Sequence, residues 1–203
     1  MRRALWVCVS LLSLIMITVA ARRILQVRSP AASLDAGFLL HPILTLAHVV
    51  PGLAFVLLGP FQFMSGLRKR HPSPHRWMGR VVLASALVIG VTALIMSPQM
   101  AIGGASESAA TFTFGVLFLF TTGKGLAAIR ARRVAEHRRW MIRAYAIGLG
   151  VGAVRPIVGV FFATSRLTRL TPHDFFGIAF WLGFVLSLAT AEAWIRRTRR
   201  ETG

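Results

Sequence analysis

The sequence predicts an all-helical bundle embedded in a membrane, and three observations carry that prediction. Hydrophobic residues make up 55% of its 203 positions, more than a soluble domain of this size carries. They gather into six runs close to the ~20 residues that a helix needs to cross the hydrocarbon core. The 24 lysines and arginines cluster at the ends of those runs. Helices are required because backbone groups in lipid must be bonded within their own segment, and no run alternates like a barrel strand.

In order, the spans are expected over residues 4–21, 43–67, 78–97, 109–129, 140–164 and 175–195. The first joins Met1-Arg2-Arg3 and an apolar core to Thr18-Val19-Ala20-Ala21, which is also the pattern of a secretory signal. Its run is longer than most signal cores, so residues 1–21 read as an uncleaved anchor and residues 38–200 as the bundle. Cys8 is the only cysteine, which excludes an internal disulfide or a cysteine-rich metal site. Span three follows Ser73-Pro74 and span six follows Thr171-Pro172. Each pair places a hydroxyl at the N-cap and proline at the first helical position. Asp174 adds an acid in a first turn, where the helix dipole favours one.

The basic residues set the orientation. Arg2 and Arg3, the loops around 68–80 and 130–143, and the tail 196–200 put seventeen cations on one side. Arg22, Arg23, Arg28, Arg166 and Arg169 lie on the other, and the loop 98–108 carries none. The positive-inside rule then makes both termini cytoplasmic. The same placement argues against nucleic acid as the partner of this +18 chain, since the charge sits where it holds topology. The expected partner is the lipid bilayer.

The phrase His75-Arg76-Trp77-Met78-Gly79-Arg80 returns as His137-Arg138-Arg139-Trp140-Met141-Ile142-Arg143. Each copy opens a span running away from the basic side, so the hairpins of spans two and three and of spans four and five are expected to be parallel repeats. Interfacial anchoring accounts for Trp77, Trp140, Arg80 and Arg143. It does not account for the shared histidine and methionine. The same strings carry a resemblance. His48 to Arg80, with Leu58-Gly59-Pro60-Phe61-Gln62-Phe63 and Pro74-His75-Arg76-Trp77-Met78-Gly79-Arg80, resembles one half of a bacterial family of multi-span membrane proteins. The run from His137 to Tyr145, followed by Arg155, resembles the other half. The family is domain of unknown function 2306. Val81-Val82 departs from it, because the family often shows a tyrosine after the Gly-Arg. The resemblance covers roughly spans two to six. It implies an integral protein of the bacterial envelope, located in the inner membrane, and implies no activity.

Ionisable side chains at membrane depth are costly and mark either a partner or a function. His48 lies roughly 7 Å past the outer start of span two, and Arg155 about 22 Å along span five. Both are expected in the outer half, with a small polar or anionic ligand between them. Arg155 precedes Pro156, which removes a backbone donor. It follows Gly148-x-Gly150-x-Gly152, whose outer pair forms a small-xxx-small face. Lys124 and Glu192 fall together in the inner half, where an ion pair would lower the cost of both. Gln62 joins the same ligand set. Binding or transport of such a ligand is the leading expectation.

Two other readings stand beside it. In one the polar residues serve helix packing alone: His48 bonds a neighbouring helix, Glu192 pairs with Arg196, Lys124 snorkels, and the protein is a non-catalytic scaffold. In the other, His75 and His137, at similar depth on two helices, hold haem b in an electron carrier. Gly123-Lys124-Gly125 lacks the upstream glycine and following hydroxyl of a phosphate loop. His71, His75, Glu136 and His137 are metal-ligating types without a defining spacing. No catalytic set is legible among six acids that lie mostly at span ends.

Overall fold

A computed structural model describes residues 2–28 and 40–200; the bundle boundary expected at residue 38 lies outside the described residues. Among these the chain forms seven helices: α1 (Arg2–Arg28), α2 (Pro42–Gln62), α3 (Ser65–Arg70), α4 (Pro72–Met100), α5 (Gly104–Arg130), α6 (Val134–Thr168) and α7 (Pro172–Arg200). All except the short α3 are long and apolar enough to cross a membrane. Each of the six expected spans is therefore present as a helix.

The ends differ from expectation for local reasons. Span two stops at Gln62 rather than residue 67. The Phe63 N–H turns back to the Pro60 carbonyl at 3.1 Å, and Met64 is extended. α3 then carries Arg68, Lys69 and Arg70 in its last turn, where the helix dipole favours cations. Ser73 was expected to cap span three, but α4 starts earlier, with Pro72 after His71. Neither Pro72 nor Pro74 needs to donate in a first turn. The expected loop 98–108 shrinks to 101–103, because Pro98 is tolerated inside α4 and α5 starts early. There the buried Glu107 carboxylate accepts the Gly103 N–H at 2.6 Å. Arg22 and Arg23 lie inside α1 rather than in a loop.

The expected cap of the last span holds. Thr171 precedes Pro172, and the Asp174 carboxylate reaches back to accept the Thr171 N–H at 2.8 Å and its hydroxyl at 2.6 Å. This satisfies donors that an N-terminus would otherwise leave open.

The chain divides into two compact units, Met1–Met100 and Ala101–Gly203. In the first, α2 packs against α1 and α4, and Phe55, Val56, Val82 and Ala86 are buried. In the second, α5, α6 and α7 all pack on one another. Its core joins Val154 and Val158 of α6 to Phe175, Phe176 and Ala179 of α7, with Phe161 stacked on Phe175 at 5.1 Å. Glycine sets the closeness of α6 and α7. A Cβ on Gly183 would lie 2.7 Å from Val154 and 3.0 Å from its backbone nitrogen, and one on Gly150 would lie 2.5 Å from Phe184. The middle glycine of Gly148-x-Gly150-x-Gly152 thus makes one of these close approaches. At 35 residues, α6 is roughly 52 Å long, so it overhangs a ~30 Å hydrocarbon layer.

Candidate functional site

The arginine-rich end of the second unit holds the most developed polar cluster. Trp140, in the second turn of α6, is its centre. The Arg143 guanidinium, one turn on, lies 4.8 Å from the Trp140 ring centroid. It also makes a two-point ion pair with Glu192 of α7, Nε to Oε1 and Nη2 to Oε2, the second at 3.0 Å. Such fork-to-fork geometry is the strong form of a charge-assisted hydrogen bond. Trp140 donates its indole N–H to Glu136 at 3.3 Å, and Glu136 pairs with Arg133 at 3.0 Å. Lys124 of α5 places Nζ 5.8 Å from the Trp140 centroid and 6.0 Å from that of Phe120. His137 Nδ1 lies 2.8 Å from the Gly125 carbonyl. A carbonyl only accepts, so Nδ1 carries the proton and Nε2 presents its lone pair.

The expected Lys124–Glu192 pair is therefore corrected. Both residues lie at this end, but Glu192 is held by Arg143, not by Lys124 or Arg196. Arg143 was read from sequence as a membrane anchor. A glutamate near the end of a span, facing a repeated arginine, was the signal that could have joined them.

Arg155 stands apart from this cluster. It lies twelve residues beyond Arg143 on α6, about 18 Å along the axis, and is half-buried with its Nε shielded from solvent. α6 continues through Pro156 without a break. Pro156 has no N–H, so the carbonyl of buried Gly152 loses its usual i+4 donor. Arginine donors and a carbonyl short of its helical partner thus share one turn in mid-helix.

In the first unit His48 joins α2 to α4, with Nδ1 2.8 Å from Thr92 Oγ1. Thr92 itself bonds the Val88 carbonyl at 2.7 Å, which uses its hydroxyl proton, so His48 Nδ1–H donates to Thr92. Gln62 sits about 21 Å further along α2, against Gly79 of α4. Its Nε2 is buried without a hydrogen-bond partner among the described residues. His48 and Gln62 are therefore not parts of one site. Arg155 and His137 belong to the second unit, His48 and His75 to the first. No group of three or more metal-ligating side chains forms among the described residues.

Sequence reasoning missed three polar groups. Thr92 completes the His48 contact. Glu107 and His173 line the start of α5, where Gly104 adopts φ +57° beneath the His173 ring. A Cβ there would lie 2.7 Å from His173 Nε2.

Six apolar helices, basic residues gathered at their ends and an ion pair between α6 and α7 define an integral membrane protein with six candidate spans. The chain belongs to the family DUF2306, described as a predicted membrane protein, which matches it over residues 45–195. No curated protein and no solved structure matches it.

Proposed function

We propose that the protein binds or carries a small anionic solute within the second unit, with Arg155 as the anchoring cation. One observation supports this reading. A guanidinium and a backbone carbonyl short of its helical donor occur in the same turn, far from either end of α6. Non-helical hydrogen-bonding capacity at membrane depth is kept where it lines a cavity or meets a ligand. We place the protein in the bacterial inner membrane, with the arginine-rich end towards the cytoplasm.

The test is a thermal-shift screen of the detergent-solubilised protein against small carboxylates and inorganic phosphate. At least one anion should raise the unfolding temperature of the wild type and leave Arg155→Gln unmoved. If none does, or if Arg155→Gln responds equally, the reading fails.

Haem b is the second reading. It is favoured by His137, whose Nδ1 is anchored on the Gly125 carbonyl so that Nε2 is presented as an axial ligand would be. A Soret band in protein purified with ample haem supply supports it, and a colourless preparation ends it.

A further inference from the structure

Lys124 is the cation at the arginine-rich end whose placement neither reading explains. Along α5, Phe112 (54%), Val116 (45%) and Phe120 (53%) are exposed. This four-residue stripe faces hydrocarbon in a membrane span, and Lys124 is its next member, also exposed. A lysine so placed normally stretches towards the nearer headgroups, here towards Arg130. Its ammonium lies 6.0 Å from the centroid of the Phe120 ring, one turn back along the helix, and 5.8 Å from that of the Trp140 ring of α6. Two aromatic faces offset part of the cost of desolvation, and tryptophan is at home at headgroup depth.

The two carboxylates described at this end are both engaged, Glu192 by Arg143 and Glu136 by Arg133 and Trp140. Arg130, Arg132, Arg133 and Arg138 are exposed nearby in sequence, so the local field favours an anion. A mobile anion with acyl chains beside the Phe112–Phe120 stripe satisfies both halves of the surface.

We infer that Lys124, Phe120 and Trp140 form a binding site for the phosphate of an anionic phospholipid, whose chains run along the exposed face of α5. The inference is independent of the Arg155 reading and removes Lys124 from that solute's ligand set.

Native mass spectrometry of the full chain in detergent, titrated with phosphatidylglycerol or phosphatidylcholine, tests it. The wild type should retain phosphatidylglycerol preferentially. Lys124→Gln should weaken that binding roughly fivefold or more, the effect of one basic residue at a charged lipid surface, while Lys124→Arg and Arg155→Gln keep it. Equal retention of the two lipids by the wild type overturns the inference, as does unchanged phosphatidylglycerol binding in Lys124→Gln. Displacement of the lipid by millimolar inorganic phosphate would show a free-anion site instead and overturn it too. Should Lys124→Gln not fold, brominated lipids still decide. Brominated phosphatidylglycerol should quench tryptophan fluorescence more than brominated phosphatidylcholine, and Trp140→Phe should abolish the excess. No excess, or an excess that survives Trp140→Phe, refutes the site.

Discussion

Replacing Glu192 with glutamine probes the contact that ties α6 to α7 at the arginine-rich end. The two side chains retain 22% (Arg143) and 32% (Glu192) of their exposure. The pair is therefore neither a surface ion pair, worth about 0.2–1 kcal/mol, nor a sealed one, whose breakage costs about 3–5 kcal/mol. Two-point geometry raises its value and residual exposure lowers it, so Glu192→Gln should cost about 2 kcal/mol. Arg143→Met should cost more by about 0.5–1 kcal/mol, because it also removes the cation from the Trp140 face. The assay is reversible unfolding in mixed detergent and SDS, followed by helical circular dichroism, for both single variants and the double. Once either charge has gone, removing the second should add little, giving a coupling of roughly 1.5 kcal/mol. Additivity of the two single costs would refute the reasoning, since it would mean that the side chains do not recognise each other in the membrane.

Three further outcomes follow from other contacts. Gly183→Ala places a methyl 3.0–3.1 Å from backbone atoms of α6 and should destabilise by about 1–3 kcal/mol, whereas Gly159→Ala, with nothing within 4 Å, should stabilise by up to ~1 kcal/mol through helix propensity; the same unfolding assay reads both. Thr92→Val removes the oxygen that accepts from His48 and should cost about 1 kcal/mol, with Thr92→Ser recovering most of it. Asp174→Ala removes the acceptor of two Thr171 donors, so the first turn of α7 should fray, read as faster amide exchange at His173, Asp174 and Phe175 while the remainder of α7 is unchanged.

The sequence made the spans legible and their rotation illegible. Run length and terminal arginines place each helix, because crossing a bilayer demands a set number of apolar residues. In lipid, however, a helix face against another helix and one against acyl chains are equally apolar. Periodicity then carries little information about which way a residue points. Lys124 and Glu192 were correctly expected at the same end, yet one lies on the exposed stripe of α5 and the other faces Arg143. The glycines of α6 read as a packing face, and Gly150 makes a close approach to Phe184 of α7. Loop lengths erred for a different reason. Pro98 is tolerated near the end of α4, and Glu107 supplies the cap that lets α5 begin early.

The sequences of the two hairpins place Thr92 in the first where Arg155 stands in the second. One constant shift that carries Trp77 onto Trp140 also carries Gly52 onto Gly115, Phe55 onto Phe118, Met78 onto Met141 and Arg80 onto Arg143, without a gap. Phe55 and Phe118 are both buried, as are Val82 and Tyr145, and Ala86 and Leu149, whereas Met96 and Ser97 are buried and the matching Gly159 and Val160 are exposed. Within that register, large and small side chains change places. Gln62 faces Gly79 in the first hairpin, and in the second the same shift puts Gly125 and Ile142 at those positions, with Gly125 packed against Met141. His48 and Thr92 correspond to Thr111 and Arg155: the bulky polar group has moved from the first helix of the hairpin to the second. Such exchanges preserve the volume between two helices while discarding the chemistry. A duplicated packing role would have tolerated two hydroxyl–imidazole contacts. An arginine at the position of Thr92 adds a permanent charge, which packing alone does not require. The hairpins thus diverge in chemistry at the positions of Thr92 and Arg155, as they do at those of His48 and Gln62.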